Sequence, residues 1–375
     1  MRIAIIANYF YEISGGPIIY VELVKEWIKT GAEVTIFTNP KGRDFCLENG
    51  ISKKNIVSWG RRYFEDGNVY CFAMYRILQS FLYSFRFKFD DFDVIFSSSD
   101  FLPDTIPPFI GKLKKGRFRW IAGCYLFHTW IDLWKRHWGK LRGIFLLLNQ
   151  NISLAGIKKY KGTLLVISNK NVPKMSRTLL IRPGVEHTAI SSISARVKQY
   201  DAIFIGRLHP QKNIDELINI WQEVVKKKPD ARLVIVGDGP LENTLKKMVN
   251  SRGLKKNILF MNTLTGRKKY IFLKSCKLFI TASRSDNGNM ALDEALACGI
   301  PGVIYDITNG HYPRGVINIP IGDSTAFAQT ILNLLDNKAR YKKLSGDGKN
   351  FAKNFQWSKT ANNIIKLISY DPLTI

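Results

Sequence analysis

What this sequence lacks narrows it quickly. Its five cysteines (Cys46, Cys71, Cys124, Cys276 and Cys298) are scattered, and none forms a CxxC pair. That argues against a structural zinc site or a disulfide framework and fits a reducing compartment. Long apolar runs are missing too: Ile144-Phe-Leu-Leu-Leu148 falls far short of the ~20 residues that cross a bilayer. The opening segment, Met1 to Ala7, is apolar only briefly before Asn8 and carries no small-residue cleavage site, so no export signal is expected. Asn151-Ile-Ser153 matches a glycosylation acceptor but lacks that context. These absences predict a chain that works in the cytoplasm, either free or peripheral on the inner face of a membrane. Acidic residues are scarce as well: 30 against 56 Lys and Arg, a net charge of +26. Such a field favours nucleic acid, acidic lipid or phosphorylated partners and does not choose among them. With no zinc-finger, helix-turn-helix or RRM signature, no specific nucleic-acid partner is expected.

What is present is an ordinary globular balance, 46% hydrophobic and 23% charged, in 375 residues, enough for two domains. The first half opens with a buried-strand pattern, Ile3 to Ala7. A glycine turn follows (Ser14-Gly15-Gly16-Pro17), then apolar residues at helical spacing from Ile18 to Lys29, with Pro17 in the first turn. Gly31 ends that helix and Glu33–Phe37 reads as the next strand. Further apolar runs at Val94–Phe96, Trp120–Ala122 and Leu164–Ile167 continue a parallel sheet. The second half repeats the alternation. Strands are predicted at Ala202–Ile205, Arg232–Val236, Ile258–Phe260, Leu278–Ile280 and Gly302–Ile304. Helices are predicted at Ile214–Lys227, Leu241–Arg252 and Met290–Ala297. The tail from Phe355 to Tyr370 reads as a last helix, with Ser358 as a cap and Trp357 as a packing anchor. The fold class is therefore α/β: two doubly wound, Rossmann-like domains facing a cleft. The boundaries are residues 1–185, 195–355 and a C-terminal helix, 356–375, that crosses back to the first domain. Ligands in such sheets sit at the carboxyl ends of the strands.

Three segments of the second half could carry chemistry. In Gly206-Arg207-Leu-His-Pro-Gln-Lys212, a strand runs into a glycine turn that offers Arg and Lys at a helix start, a cradle for a diphosphate or else a solvated basic loop. Gly237-Asp238-Gly239 lacks the third glycine of a dinucleotide fingerprint and reads better as a tight strand-to-helix turn. The third segment runs from Ser283 to Pro301. Backbone N–H groups at Asn289, Met290 and Ala291 open a helix toward an anion, and Glu294 within it could accept two hydrogen bonds from a ribose diol. Asp286 precedes that helix; Asp293 and Glu294 could equally be surface acids. In the first half, Gly15 and Gly16 permit close backbone approach to a ligand or form a plain turn, and His128 falls just past a strand end.

Taken in order, these segments resemble the family 4 retaining glycosyltransferases of GT-B fold (glycosyltransferase group 1). Ile181-Arg-Pro-Gly184-Val-Glu186 and Ala297-Cys-Gly299-Ile-Pro301 add to the resemblance, which covers nearly the whole chain. It implies that Arg207 and Lys212 bind the donor diphosphate, Glu294 holds the ribose, and the backbone of Asn289, Met290 and Ala291 supports a phosphate. Asp286 and His128 would contact the donor sugar, and Gly16 would lie near the reacting groups. It implies no bound metal and no cofactor beyond the nucleotide-sugar substrate, because Arg and Lys offset the diphosphate charge. Retention of anomeric configuration, by a front-face route, is likewise an implication of the resemblance. The chain departs from the family in two places. Asp286 stands where the first acid of the motif is usually glutamate, and Asn287-Gly288-Asn289 replaces Gly-Phe-Gly. Both fall where the donor sugar is expected.

The stretch from Ile110 to Thr163 carries twelve Lys and Arg against one acid, Asp132, together with Trp120, Trp130, Trp134, Trp138 and Phe145. A second patch, Phe81 to Phe89, mixes the same residue types. Basic residues beside interfacial aromatics fit an anionic membrane surface, and hence a lipid-linked or membrane-surface glycan acceptor. The opposing reading is a buried helix with a solvated basic face. Two further functions stay open: a non-catalytic GT-B relative serving as a binding or scaffold subunit, and a sugar-nucleotide epimerase.

Overall fold

The computed structural model describes residues 1–10, 15–61, 69–127, 140–168, 172–175, 177–194, 196–284, 288–307 and 312–369. The chain divides into two compact units, Met1–Pro183 with Trp357–Ile375, and Gly184–Gln356.

The first unit holds strands β1 (Arg2–Ala7), β2 (Glu33–Thr38), β3 (Ile56–Ser58), β4 (Val94–Ser97), β5 (Arg119–Gly123), β6 (Thr163–Val166) and β7 (Thr178–Leu180). All pair in parallel, in the order β3-β2-β1-β4-β5-β6-β7. Helices α1 (Gly15–Lys29), α2 (Pro40–Glu48), α3 (Val69–Ser84), α4 (Leu102–Leu113) and α5 (Lys140–Lys159) connect them. The inner strands β1 and β4 are buried on both faces and apolar, as in parallel sheets generally, whereas β2 alternates and the edge strands β3 and β7 are partly exposed. Ile3 to Ile6 are all fully buried. Ala4, Ile6, Ile95, Trp120 and Leu164 face one way, against Tyr83 of α3, Phe109 of α4 and Leu154 of α5. On the other face Trp27 of α1 meets Phe96 edge-on. α1 ends at Gly31, whose φ of +85° suits a residue without Cβ. The last helix, α13 (Trp357–Ser369), belongs to this unit: Trp27 Nε1 donates to the Ala361 carbonyl (3.2 Å), and Thr360 Oγ1 donates to the Arg182 carbonyl (2.7 Å).

The second unit starts with the short helix α6 (His187–Ser191) and carries strands β8 (Tyr200–Ile205), β9 (Leu233–Val236), β10 (Ile258–Met261), β11 (Cys276–Thr281), β12 (Gly302–Tyr305) and β13 (Val316–Ile319). Their order is β10-β9-β8-β11-β12-β13, again parallel. The intervening helices are α7 (Ile214–Lys227), α8 (Glu242–Ser251), α9 (Gly266–Lys274), α10 (Met290–Ala297), α11 (Ser324–Asp336) and α12 (Lys338–Ala352). In α7 the apolar residues Ile214, Leu217, Ile218, Trp221 and Val224 are fully buried, while Asp215 and Glu216 sit in the first turn and Lys226 and Lys227 in the last. Those charges oppose the helix dipole at both ends and add to the packing that holds the helix.

The sequence expectations for α7 and α10 match residue for residue, and the named strands are found within about two residues. β3, β7 and β13 were not anticipated; each is a short, partly exposed strand at a sheet edge and lacks the pattern of a strand buried on both faces. Two expectations are corrected. Ser358 is the second residue of α13 and lies within the helix rather than capping it. Trp120 is no interfacial aromatic: it lies in β5, 3% exposed, with its Nε1 donating to Ser97 Oγ (3.0 Å). The stretch 110–163 is therefore not one surface helix. It holds the end of α4, a core strand and α5. Trp130, Trp134 and Trp138 lie outside the described residues.

Candidate functional site

In the second sheet the strand order reverses between β8 and β11. Loops leaving the carboxyl ends of two such strands turn toward opposite faces and leave a crevice, where open α/β sheets bind ligands. The segment after β8 is Gly206 to Asn213; the segment after β11 is Ala282 to Asn289. Gly206, Arg207 and Lys212 lie on the first, and Asn289, Met290, Ala291 and Glu294 follow the second. The fold thus brings these predicted residues to the two sides of one switch point. Asn213 Nδ2 donates to the Ala282 carbonyl (3.1 Å), and Ser283 Oγ donates to the Gln211 carbonyl (3.2 Å), so the two segments are tied directly.

The Gly206 turn is held from its other side by the turn after β9. Gly206 N donates to the Val236 carbonyl (3.0 Å), and Leu208 N donates to the Asp238 carbonyl (2.9 Å). Gly237 has φ +141°, and a Cβ there would stand 2.0 Å from the Gly206 carbonyl oxygen. The reading of 237–239 as a tight turn is borne out: the glycines let this turn press against the Arg207 loop.

Glu216 ties three strand ends together. It accepts from Tyr305 Oη at the end of β12, from Asn213 Nδ2 after β8, and from Arg284 Nη2 after β11 (2.6 Å). Burial pushes its carboxyl pKa up, but the hydrogen bonds from Tyr305, Asn213 and Arg284 outweigh that and hold it below the usual glutamate value. Asn213 adopts the left-handed conformation (φ +51°), which asparagine tolerates better than most residues.

Glu294 is no surface acid. It is 9% exposed, inside α10, and two residues of α9 reach it: Lys269 Nζ donates to Oε1 (2.6 Å), as does Tyr270 Oη (3.2 Å). Burial, then the Glu294 charge, pushes the Tyr270 hydroxyl pKa well up, so it stays a donor. The same two causes push the neighbouring Cys298 thiol up to about 12. Asn289 caps α10, its side-chain oxygen accepting from Leu292 N (3.1 Å).

In the first unit, Gly15 and Gly16 open α1, and a Cβ on Gly16 would stand 3.3 Å from the Tyr125 ring. Gly16 therefore makes room for a side chain of its own unit. His128 and Asp286 lie outside the described residues. Lys269, Tyr270, Glu216 and Arg284 were missed by sequence reasoning. Glu216 reads as a helix-dipole acid, and Lys269 as part of a solvated basic run, Arg267-Lys-Lys269; neither carries a local signal of its partner.

Residues 187–351, nearly the whole of this unit, match the glycosyl transferases group 1 family. The second unit is thus similar to the glycosyl transferases group 1, over less than half of the chain. Over 180 residues the chain is 25% identical to a GDP-mannose-dependent monoacylated alpha-(1-6)-phosphatidylinositol monomannoside mannosyltransferase of Corynebacterium glutamicum, covering 44% of this chain and 46% of that protein. It is 27% identical over 115 residues to an alpha-monoglucosyldiacylglycerol synthase of Acholeplasma laidlawii, 30% of this chain and 29% of that one. The chain spans less than half the length of these relatives. The structure of Anabaena HepE with UDP and glucose matches at a TM-score of 0.73 over 98% of this chain and 99% of that one, with 13% identity. At that identity the likeness speaks for fold alone. The fold is GT-B, two Rossmann-like α/β domains, and the family match falls on the second.

Proposed function

We propose that the chain is a nucleotide-sugar-dependent glycosyltransferase whose donor binds at the switch point of the second unit. The observation that carries this reading is that the segment after β8, which bears Arg207 and Lys212, is hydrogen-bonded to Ala282 and Ser283, the start of the segment that leads to α10 and Glu294. Arg207 and Lys212 would face the diphosphate, the first turn of α10 would support a phosphate, and Glu294 would take the ribose hydroxyls through its Oε2, since Oε1 already accepts from Lys269 and Tyr270. Departure of a nucleoside diphosphate builds negative charge, and fixed cations aimed at it lower the barrier without a metal. Asp286 and His128 are proposed to contact the donor sugar, and Gly16 to lie near the reacting groups. The transfer is proposed to retain configuration: the anomeric C–O bond to the phosphate breaks, the acceptor oxygen bonds on the same face, and its proton passes to the departing phosphate. The acceptor is proposed to be a glycan or lipid-linked molecule at an anionic membrane surface. Two relatives whose names specify glycolipids support that class.

A thermal-shift panel of UDP, GDP, ADP, CMP and their sugar conjugates tests the reading, on the wild type and on Glu294→Gln. The glutamine keeps the shape of the side chain beside Lys269. A ligand at 100 times its Kd stabilises the fold by ~2.7 kcal/mol. A shift with one nucleotide, lost in Glu294→Gln, is the expected result and names the base. No shift with any nucleotide would sink the reading and leave the scaffold subunit, which the Asp286 replacement independently motivates.

A further inference from the structure

The outer faces of α3 and α5 are apolar. Met74, Leu78, Phe81, Leu82 and Phe85, along α3 and just past its end, recur at helical spacing and are 46–57% exposed. Ile144, Leu148 and Ile152 form a second stripe on α5, 40–58% exposed. The stripes belong to one face of the unit. Tyr70 of α3 meets Phe145 of α5 edge-on at 5.7 Å, and α4 bonds both helices through Pro103 O to Ser80 Oγ (2.6 Å) and Thr105 Oγ1 to Ser153 Oγ (2.8 Å). Isolated exposed apolar residues are ordinary, but stripes of them mark an interaction surface.

The charges around this face choose the occupant. The three helices contain one acid, Asp104, which is 1% exposed. Arg86, Lys88, Lys114, Lys115 and Arg117 are exposed nearby, against the exposed acids Asp90 and Asp91, and Lys114 Nζ lies 5.1 Å from the Phe85 ring centroid. A second copy of the chain would bring like charge against like charge. An anionic bilayer takes apolar side chains into its headgroup and acyl boundary while its phosphates meet the basic residues.

We propose that the α3–α5 face seats the chain on an anionic lipid surface, with the apolar stripes inserted and the Arg86–Lys88 and Lys114–Arg117 segments at the headgroups. This rests on the membrane acceptor of the proposed function for its purpose, and on the two stripes for its physics. Insertion is the main attraction and charge the second, the reverse of what the basic composition alone suggests.

Vesicle flotation tests it, with phosphatidylcholine alone and with added phosphatidylglycerol, on the full chain. The wild type is expected to float with the anionic vesicles. Leu78→Asp/Leu82→Asp, at positions more than half exposed, should cut binding about tenfold or more with an unchanged Tm. Lys114→Glu/Lys115→Glu should weaken binding and flatten its salt dependence, while Leu259→Asp on the second unit should leave it unchanged. Wild-type protein that stays unbound, or equal binding by the Leu78/Leu82 variant, overturns the proposal. So does a concentration-dependent dimer in sedimentation that the same variant abolishes, which would assign the face to a second copy. Nucleotide thermal shifts, run in parallel on each variant, separate the two readings: a chain that floats but binds no nucleotide refutes the donor site and leaves the membrane face standing.

Discussion

Lys269 Nζ stands 2.6 Å from Glu294 Oε1, and the two side chains are only 16% and 11% exposed. The pair joins α9 to α10 across the second unit, with Tyr270 donating to the same oxygen. One carboxylate oxygen is thus committed to protein, and the proposed ribose contact falls to the other.

Removing the lysine from this pair leaves a desolvated carboxylate. Lys269→Met is expected to lower the stability of the second unit by about 2–4 kcal/mol, read by urea unfolding. It should also weaken nucleotide binding, because Glu294 loses the contact that orients it. Unchanged stability would mean that water already shares the pair.

Gly237→Ala addresses the close approach of the two turns. Its Cβ would stand 2.0 Å from the Gly206 carbonyl oxygen, at a φ of +141° that L side chains rarely adopt. The turns must separate, at a cost of roughly 2 kcal/mol or more. Because Gly206 leads directly to Arg207, nucleotide affinity should fall with stability. Gly253→Ala, with open space around the added Cβ, controls for backbone strain alone.

Glu216 makes stability depend on pH in a definite direction. Its pKa is lowered in the folded state, so its contribution is full above the unfolded value of ~4.3 and is lost as pH falls through the folded one. Wild type and Glu216→Gln should therefore differ most near neutrality, with the difference narrowing below about pH 4. Chemical unfolding across pH 3 to 7 reads this; a constant difference would refute it.

Asp104 runs the opposite way. Burial raises its pKa to about 7, despite hydrogen bonds from Ser99 Oγ, Tyr9 N and Ser98 Oγ. A carboxyl raised on folding is held protonated, so the first unit should lose stability as pH climbs from ~3.9 toward that value. Asp104→Asn keeps the shape and removes the titration. Its stability relative to wild type should rise over that range and level off above it, as measured by unfolding midpoints.

The fold was legible where local pattern and tertiary environment agree. Ile214 to Val224 carries a buried stripe at helical spacing with acids before and lysines after, and α7 begins and ends where that pattern says. Ile3–Ala7 of β1 and Ala202–Ile205 of β8 are continuous apolar runs because both faces of a parallel sheet are covered there. The Gly206–Lys212 and Asn289–Glu294 segments were legible for the same reason: each is a strand or helix boundary marked by glycine or a capping side chain.

The sequence by itself therefore determined the two α/β units and the order in which their loops follow the strands. Tertiary structure alone decided which side chains meet. Glu216 and Arg284 are 68 residues apart and follow β8 and β11, whose pairing brings them together; Lys269 and Glu294 are 25 apart, on the helices before and after β11, and meet only where those two helices approach. It also decided which aromatics stay in water. Trp120 and Phe81 have the same sequence surroundings of basic and apolar residues. Trp120 falls on a central strand and is buried, while Phe81 falls on the outer face of a helix and is 46% exposed. Composition is blind to that difference, because burial belongs to the packing of elements and not to the residue.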